Sequence, residues 1–284
     1  MSKLNFSDWL LVLFCTFSGY IFRFIRWNRY IDAFQHKIPL FCHFSYYLAG
    51  LALTTTPAKA GETLRSLYLL QHEVKISQSL ASFFTERLLD VAVMVLLSSL
   101  LFFTLPEIDK KYTYFILSLL IFIFILLPLL SSKIPPLFLN YIINKLTKYK
   151  FSIMLKHLLA LIQSAQRLLK FKLLSQGLFL GLIAWILNGL GFYVILSKVG
   201  FPLDLSLSLT IYAISILAGA ASFIPGGIGA TETVMGVLLL SVGSEQHIAI
   251  AAPILTRLAT LWFAVCVGLI ANAYLSINNS KAIT

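Results

Sequence analysis

The sequence predicts an all-α, polytopic integral membrane protein, and three features carry that prediction. Hydrophobic residues make up 59% of the 284 residues, whereas Asp, Glu, Lys and Arg make up 12%, about half of the roughly 25% charged content of a soluble domain. Uncharged apolar runs at 91–105 and 112–130 are long enough to cross a bilayer. A repeated order of helix, proline–glycine break and helix predicts two inverted repeats, each a re-entrant helical hairpin followed by a long transmembrane helix. We therefore expect a single membrane domain over residues 1–284.

The individual helices follow from the apolar runs and from the residues that stop them. The first span is predicted at 9–25, with Trp9 and Trp27 flanking it as an aromatic belt. An apolar helix at 38–56 ends before Pro57, because the residue preceding proline is pushed out of the helical region. The remaining predicted elements are a short helix at 60–72, a long helix at 77–104, spans at 112–131 and 175–197, and helices at 205–222, 230–242 and 246–275. These elements divide into repeat 1 at about 38–105, a connecting region at 106–204 and repeat 2 at about 205–276.

The distribution of charge predicts how the protein is oriented. The net charge is +11, and eight of the 22 basic residues fall within 133–172, which contains no acidic residue. Four more fall within 23–37 against Asp32 alone, whereas the connections at 105–111 and 198–204 are neutral. By the positive-inside rule, the two basic loops and the C-terminus face the cytoplasm, and the protein lies in the cytoplasmic (inner) membrane. Nucleic acid is not an expected partner, because the positive charge serves orientation and contact with anionic lipid headgroups.

The basic region contains an amphipathic segment at 151–171. Its polar residues form one helical stripe opposite Leu, Ile and Phe side chains; they are Ser152, Lys156, Gln163, Arg167 and Lys170. A helix lying in the cytoplasmic headgroup layer fits this pattern. Docking of a partner protein, or of a second copy in a homo-oligomer, is the alternative interpretation.

Cysteine and glycine positions predict packing and not chemistry. Cys15, Cys42 and Cys266 lie in apolar segments without metal-like spacing, so they are expected to be small buried hydrophobes. Gly177 and Gly181 form a G-x-x-x-G pattern that favours close helix packing. We expect no metal site and no cofactor.

The internal repeat contains two equally spaced pairs of charges. Glu62 and Arg87 are 25 residues apart, as are Glu232 and Arg257. In the predicted topology, the first unit begins inside and the second begins outside, so the two units are inverted, as in many transporters. Arg87 and Arg257 each lie about ten or eleven residues into a helix, which corresponds to ~15 Å, or half the hydrocarbon thickness. Burying such a charge costs about 2.5–3.5 kcal/mol on insertion scales, so a function is expected of it.

These charges predict an anion site where the tips of the two hairpins meet near the midplane. Helix N-termini and arginines favour a negatively charged ligand such as a phosphate, and glycines let the backbone approach it closely. The candidate substrate-binding residues are Lys59, Gly61, Glu62, Arg65, Glu86, Arg87, Asp90, Pro225, Gly226, Gly227, Gly229, Glu232 and Arg257. The alternative is that Glu62–Arg87 and Glu232–Arg257 are buried ion pairs that only hold each hairpin to its long helix. Asp90 is either a proton carrier or a satisfied polar contact. We predict no catalytic residue.

Together these motifs resemble the flippase-like transmembrane family, which includes the membrane half of bifunctional lysylphosphatidylglycerol synthases and many stand-alone proteins. The motifs are Pro57-Ala-Lys-Ala-Gly-Glu62 with Arg65, Glu86-Arg87-Leu-Leu-Asp90, Pro225-Gly-Gly-Ile-Gly-Ala-Thr-Glu232, and Arg257. The resemblance covers roughly 10–275 and implies translocation of an anionic or aminoacylated phospholipid, or of a polyprenyl-phosphate lipid. The chain departs from the synthases because no soluble aminoacyl-transfer domain follows its last helix, so we expect no enzymatic activity. Family members often carry a further helix before the Arg26-Trp27 element, which raises the expectation of a longer native N-terminus.

The leading hypothesis is therefore a lipid flippase in which Arg87, Arg257 and helix N-termini hold the phosphate. Glu62 and Glu232 would position the arginines or receive a cationic aminoacyl amine. The alternatives are an inverted-repeat transporter of a small anionic solute or ion, an intramembrane lipid enzyme, and a non-catalytic scaffold that uses the basic helix.

Overall fold

The computed structural model describes residues 4–104, 110–145 and 149–281, and all regular structure within these ranges is helical. The all-α prediction is confirmed. Most of the neutral connection predicted at 105–111, the basic residue Lys148 and the last three residues lie outside the described residues.

The helices follow the predicted order with several changes of boundary. They are α1 (Phe6–Asp32), α2 (Leu40–Gly50), α3 (Arg65–Leu70), α4 (Ile76–Ser98), α5 (Leu101–Thr104), α6 (Lys110–Ser131), α7 (Ile134–Lys145), α8 (Tyr149–Leu168), α9 (Phe171–Lys198), α10 (Leu205–Ala221), α11 (Ala230–Ser241), α12 (Gln246–Arg257) and α13 (Phe263–Lys281). Short 3₁₀ turns cover Leu51–Leu53, Pro57–Leu64 and Pro225–Gly227, and a π-helical turn covers Leu258–Trp262.

The helices that could cross a membrane make this an integral membrane protein. Among the described residues, three stretches are long and apolar enough to span a bilayer, namely Phe6–Asp32, Phe171–Lys198 and Gln246–Ile277. A fourth candidate is bent by 58° between Ile116–Ser131 and Ile134–Lys145. Helix α4 has 23 residues, which is also spanning length, but it carries three charged residues near its middle.

Helix α1 continues past the position at which the sequence predicts its end. The predicted basic loop 23–37 is wrong over its first half, because Arg23 and Arg26 lie inside the helix and are only 9% and 0% exposed. Trp27 is also fully buried, so it is not part of an aromatic belt. These side chains have carboxylate and aromatic partners within the bundle, which allows arginine to be buried without ending the helix.

Close packing between α1, α4 and α9 depends on two glycines. A Cβ atom added to Gly177 would lie 2.8 Å from Leu89 Cδ1, and one added to Gly181 would lie 2.7 Å from Arg26 Nη1. Both distances are below 3.0 Å, so a larger residue at either position would force Leu89 or Arg26 to shift. The packing role predicted for the G-x-x-x-G pattern is confirmed.

Two helix–break–helix units occupy the predicted positions. The first hairpin (residues 40–70) consists of α2, 3₁₀ turns and α3; the predicted helix at 60–72 is 3₁₀ as far as Leu64. The second hairpin (residues 205–241) consists of α10 and α11, of 17 and 12 residues, which pack against each other. The two tips, Pro57–Leu64 and Pro225–Gly227, are in contact. Their inverted, re-entrant arrangement in a membrane stays a prediction.

The described part of the region between the hairpins contains two helices more than predicted, because the helix predicted at 77–104 is divided into α4 and α5, and because α7 is additional. Helix α7 follows the bend after α6, where the sequence suggested an irregular basic stretch, and Pro135 and Pro136 fall in its first turn, where a missing N–H is tolerated. Helix α8 confirms the amphipathic helix, with Lys156, Gln163 and Arg167 exposed and its other face against α4, α6 and α7. Its place in a headgroup layer stays a prediction.

The long C-terminal helix predicted at 246–275 is confirmed as the stretch Gln246–Ile277, and it contains a π-helical turn. This turn begins directly after Arg257 and separates α12 from α13. Such turns occur frequently at functional sites. The predicted burial of the cysteines is correct for Cys15 but wrong for Cys266, which is exposed on α13.

Candidate functional site

A cavity of about 410 Å³ lies where the two tips meet. Residues of α1, α4, α9, α10, both tips and the π-helical turn line it. Its charged lining residues are Arg23, Lys59, Glu62, Arg87, Asp90 and Arg257. The sequence predicts five of these six as site residues, and it misses Arg23.

The first tip is joined to α4 by the predicted ion pair. Arg87 Nη2 lies 3.6 Å from Glu62 Oε2 and 3.5 Å from Asp90 Oδ2. Glu62 also accepts a 2.9 Å hydrogen bond from the Thr54 hydroxyl. Arg87 and Asp90 are three residues apart on α4, and the long arginine side chain reaches that carboxylate at i,i+3. Asp90 is therefore a partner for arginine, which fits a satisfied polar contact.

A second layer of charge lies behind the cavity wall. Glu86 is fully buried between two arginines, with its Oε2 2.6 Å from Arg65 Nη2 and its Oε1 3.5 Å from Arg26 Nε. Arg26 Nη2 also donates a 2.8 Å hydrogen bond to Asp90 Oδ1. The guanidinium of Arg65 lies 3.6 Å above the centre of the Trp27 ring. Glu86 and Arg65, both predicted as site residues, thus support the cavity wall and do not line it.

In the second hairpin, Glu232 connects the tip to α12. Its Oε1 accepts from Arg257 Nε at 2.8 Å, and its Oε2 accepts from the Gly229 N–H at 2.7 Å. Glu232 therefore caps the N-terminus of α11, the place at which the sequence analysis predicted a bound anion. Arg257 Nη2 also donates to the carbonyl of Gly226. Both ion pairs predicted from the 25-residue spacing are present.

The glycines serve the conformation of the tips. Gly226, Gly227 and Gly229 have φ values of 63°, 64° and 87°, which only glycine adopts readily. Gly226 and Gly227 line the cavity, whereas Pro225 and Gly229 do not. Gly61 also lies off the cavity wall, and its N–H donates to the Thr56 hydroxyl at 2.6 Å.

Arg23 is the charged residue of the cavity wall that the sequence analysis missed. Its guanidinium lies 4.3 Å above the ring of Trp185, and the Trp185 Nε1–H donates to Asp90 Oδ1 at 3.1 Å. A signal was available, because Arg23 and Arg26 are three residues apart within an apolar segment and fall on one side of a continuing helix. The sequence reasoning assigned both to a cytoplasmic loop instead.

The charges in and behind the cavity do not balance. Six basic and four acidic side chains form the two layers; they are Arg23, Arg26, Lys59, Arg65, Arg87 and Arg257, with Glu62, Glu86, Asp90 and Glu232. The difference is two positive charges. Such an excess in a desolvated site favours binding of an anion.

Four apolar residues of the cavity wall are also exposed, and we call them the apolar edge. Phe84 and Val91 on α4, with Phe223 and Ile224 beside the second tip, line the cavity and are also exposed on the surface. On a membrane protein an exposed apolar surface of this kind faces lipid tails. The charged interior is thus continuous with a surface suited to acyl chains.

Comparison with known proteins identifies the family. A family model for the lysylphosphatidylglycerol synthase TM region matches residues 1–268. The chain belongs to this family. The resemblance predicted from the motifs is confirmed, and the matched region includes both hairpins and Arg257. Membership in a family of lysylphosphatidylglycerol synthase TM regions connects the chain with membrane lipids.

Two archaeal relatives show how far the similarity extends. A UPF0104 membrane protein of Pyrococcus horikoshii is 26% identical over 267 residues, covering 86% of this chain and 80% of the relative. A UPF0104 membrane protein of Methanothermobacter thermautotrophicus is 29% identical over 114 residues, covering 39% of this chain and 34% of the relative. The first similarity covers most of this chain and most of the relative, whereas the second covers less than half of either protein.

Proposed function

We propose that this protein translocates an anionic lipid between the two leaflets of the membrane. The phosphate passes through the cavity between the two tips, while the acyl chains stay in the surrounding bilayer. The observation that carries this proposal is the continuity of a positively charged cavity with an exposed apolar edge.

Arg87 and Arg257 support passage of a phosphate because they approach the cavity from different halves of the chain. Each is held in place by a glutamate of one of the two hairpins, so neither must be ordered when the ligand arrives. Charge-assisted hydrogen bonds from arginine to phosphate are among the strongest polar contacts in proteins.

The apolar edge favours a lipid over a small anionic solute. A soluble anion needs only the charged interior, whereas a lipid needs an opening through which its tails remain in hydrocarbon. Phe84 and Phe223, which are 52% and 75% exposed, stand at this opening.

Leaflet exchange in reconstituted vesicles tests the proposal. Fluorescent anionic phospholipid is incorporated, and its exchange is followed by quenching of the outer leaflet. We expect Arg87→Ala/Arg257→Ala to slow exchange by tenfold or more, since one hydrogen bond to a charged group contributes about 1.5–3 kcal/mol. The matched control is Arg29→Ala/Arg167→Ala, in which two exposed arginines are removed.

Equal exchange by the wild type and the double cavity variant would exclude this mechanism and would favour the scaffold hypothesis. A bulky maleimide at Phe223→Cys tests the opening, in a background where Cys42 and Cys266 are replaced by serine. Labelling there should slow exchange, whereas labelling at Val237→Cys, which is exposed but does not line the cavity, should not.

A further inference from the structure

The carboxylates around the cavity are already neutralised by arginine. Glu62 pairs with Arg87, and Glu232 pairs with Arg257. Glu86 and Asp90 are each shared between two or more arginines. Among the described residues that line the cavity, none therefore offers an uncommitted carboxylate to a cationic ligand.

Two cations lack such partners. Within the described residues, neither Arg23 nor Lys59 has a carboxylate within salt-bridge distance, although both line the cavity. Arg23 is 9% exposed, and its Nη2 has no hydrogen-bond partner. Arg26, Arg65 and Arg87 also have buried nitrogens without an acceptor, but Arg26 and Arg65 do not line the cavity and Arg87 has carboxylate partners. A buried guanidinium nitrogen without an acceptor is costly, so the position of Arg23 in the cavity wall, without a carboxylate partner, favours an acceptor supplied by a ligand.

We propose that Arg23 and Lys59 bind the phosphate of a lipid phosphomonoester and that the cavity excludes cationic headgroups. This inference rests on the proposed lipid function and specifies its substrate class. A phosphomonoester carries about −1.5 to −2 charges near pH 7, which matches the excess of two positive charges around the cavity. A phosphodiester lipid carries one negative charge and compensates only half of it.

An aminoacylated lipid does not fit this site. Its ammonium group would meet carboxylates already paired with arginine, and it would lie beside two cations that have no carboxylate within salt-bridge distance. The sequence-based suggestion that Glu62 or Glu232 receives an aminoacyl amine thus loses its support, because both side chains are committed. Like charges brought together in a desolvated site repel strongly, which provides the selection against such headgroups.

Binding to the purified protein tests the inference separately from transport. Dissociation constants are measured in detergent for dioctanoyl phosphatidic acid, phosphatidylglycerol, phosphatidylcholine and lysylphosphatidylglycerol. We expect phosphatidic acid to bind at least tenfold more tightly than phosphatidylcholine or lysylphosphatidylglycerol, with phosphatidylglycerol between them. Glycerol 3-phosphate serves as a soluble phosphomonoester. If it binds as tightly as phosphatidic acid, the cavity binds a phosphomonoester, but the ligand is a soluble molecule and not a lipid.

Substitutions of Arg23 and Lys59 then test whether these two residues bind the phosphate. Arg23→Gln and Lys59→Gln should each weaken phosphatidic acid binding about tenfold and leave phosphatidylcholine binding unchanged. Arg29→Gln and Lys75→Gln, at exposed positions, are the matched controls. Arg23→Lys keeps the charge and should restore much of the affinity if loss of charge, and not misfolding, caused the defect.

The outcomes separate the two proposals. Equal affinity for phosphatidic acid and lysylphosphatidylglycerol, or unchanged phosphatidic acid binding in both glutamine variants, would overturn the inference. Leaflet exchange with no dependence on the headgroup would also overturn it while leaving translocation intact. Selective binding without leaflet exchange would support the phosphate site and exclude the proposed translocation.

Discussion

The charge network behind the cavity wall should dominate the stability of this protein, and Glu86→Gln tests that expectation. Glu86 is fully buried and compensates Arg65 at 2.6 Å and Arg26 at 3.5 Å. Removing one partner from a buried ion pair typically costs 3–5 kcal/mol. Glutamine keeps one hydrogen bond to Arg65, so the expected loss is near the lower limit, about 3 kcal/mol. Asp90 is then the only carboxylate left to balance Arg26, and Arg65 keeps one hydrogen bond and its aromatic contacts but no carboxylate partner.

The free energy of unfolding is measured in detergent by titration with a denaturing surfactant, followed by tryptophan fluorescence. At roughly 2–4 °C per kcal/mol for a chain of this size, the thermal midpoint should fall by roughly 6–12 °C. Glu245→Gln is the control, because Glu245 is 76% exposed and its pair with His247 lies on the surface, where salt bridges contribute about 0–1 kcal/mol. If Glu86→Gln costs no more than this control, the buried network does not hold the cavity wall together.

Two glycine substitutions probe other contacts. In Gly226→Ala the alanine must adopt a φ of 63°, a conformation that costs a residue with a side chain about 1–2 kcal/mol. The carbonyl of Gly226 also accepts a hydrogen bond from Arg257. We therefore expect both a lower thermal midpoint and slower leaflet exchange. Gly177→Ala places a Cβ 2.8 Å from Leu89 Cδ1, and overpacking of this kind costs about 1–3 kcal/mol. Gly191→Ala is the control for both, because its Cβ would lie 3.4 Å from Val12 Cγ1; a comparable loss in that variant would contradict the packing argument.

The sequence was sufficient to predict the pairing of charges between the tips and the long helices. A charge within an apolar segment needs a partner, and the equal spacing from Glu62 to Arg87 and from Glu232 to Arg257 indicated which one. The break at Pro225 also predicted where α10 stops, whereas the helix predicted at 38–56 was wrong at its end, because α2 ends at Gly50 and continues as a short 3₁₀ turn. The correct inferences worked because each depends on local chemistry and on spacing along one chain.

What the sequence did not predict depends on contacts between distant segments. Arg23 and Arg26 look like the end of a span until α4 and α9 supply Asp90 and Trp185 as partners. No pattern within α1 encodes those partners, so the positive-inside rule assigned the arginines to a loop. The sequence also could not predict which site residues line the cavity and which support its wall. Spacing along the chain does not distinguish Glu86, which supports the wall, from Glu62, which lines the cavity.

That division explains how a membrane protein can tolerate so many buried charges around one cavity. Arg26 and Arg65 do not line the cavity and both pair with Glu86, so these charges join α1, the first hairpin and α4. Arg87 and Arg257 are held from one side by glutamates and remain open to the cavity from the other. The supporting layer therefore fixes the geometry, and the incomplete compensation of the lining layer provides the attraction for an anion. A fully neutralised cavity would be more stable but would have no electrostatic reason to bind a phosphate.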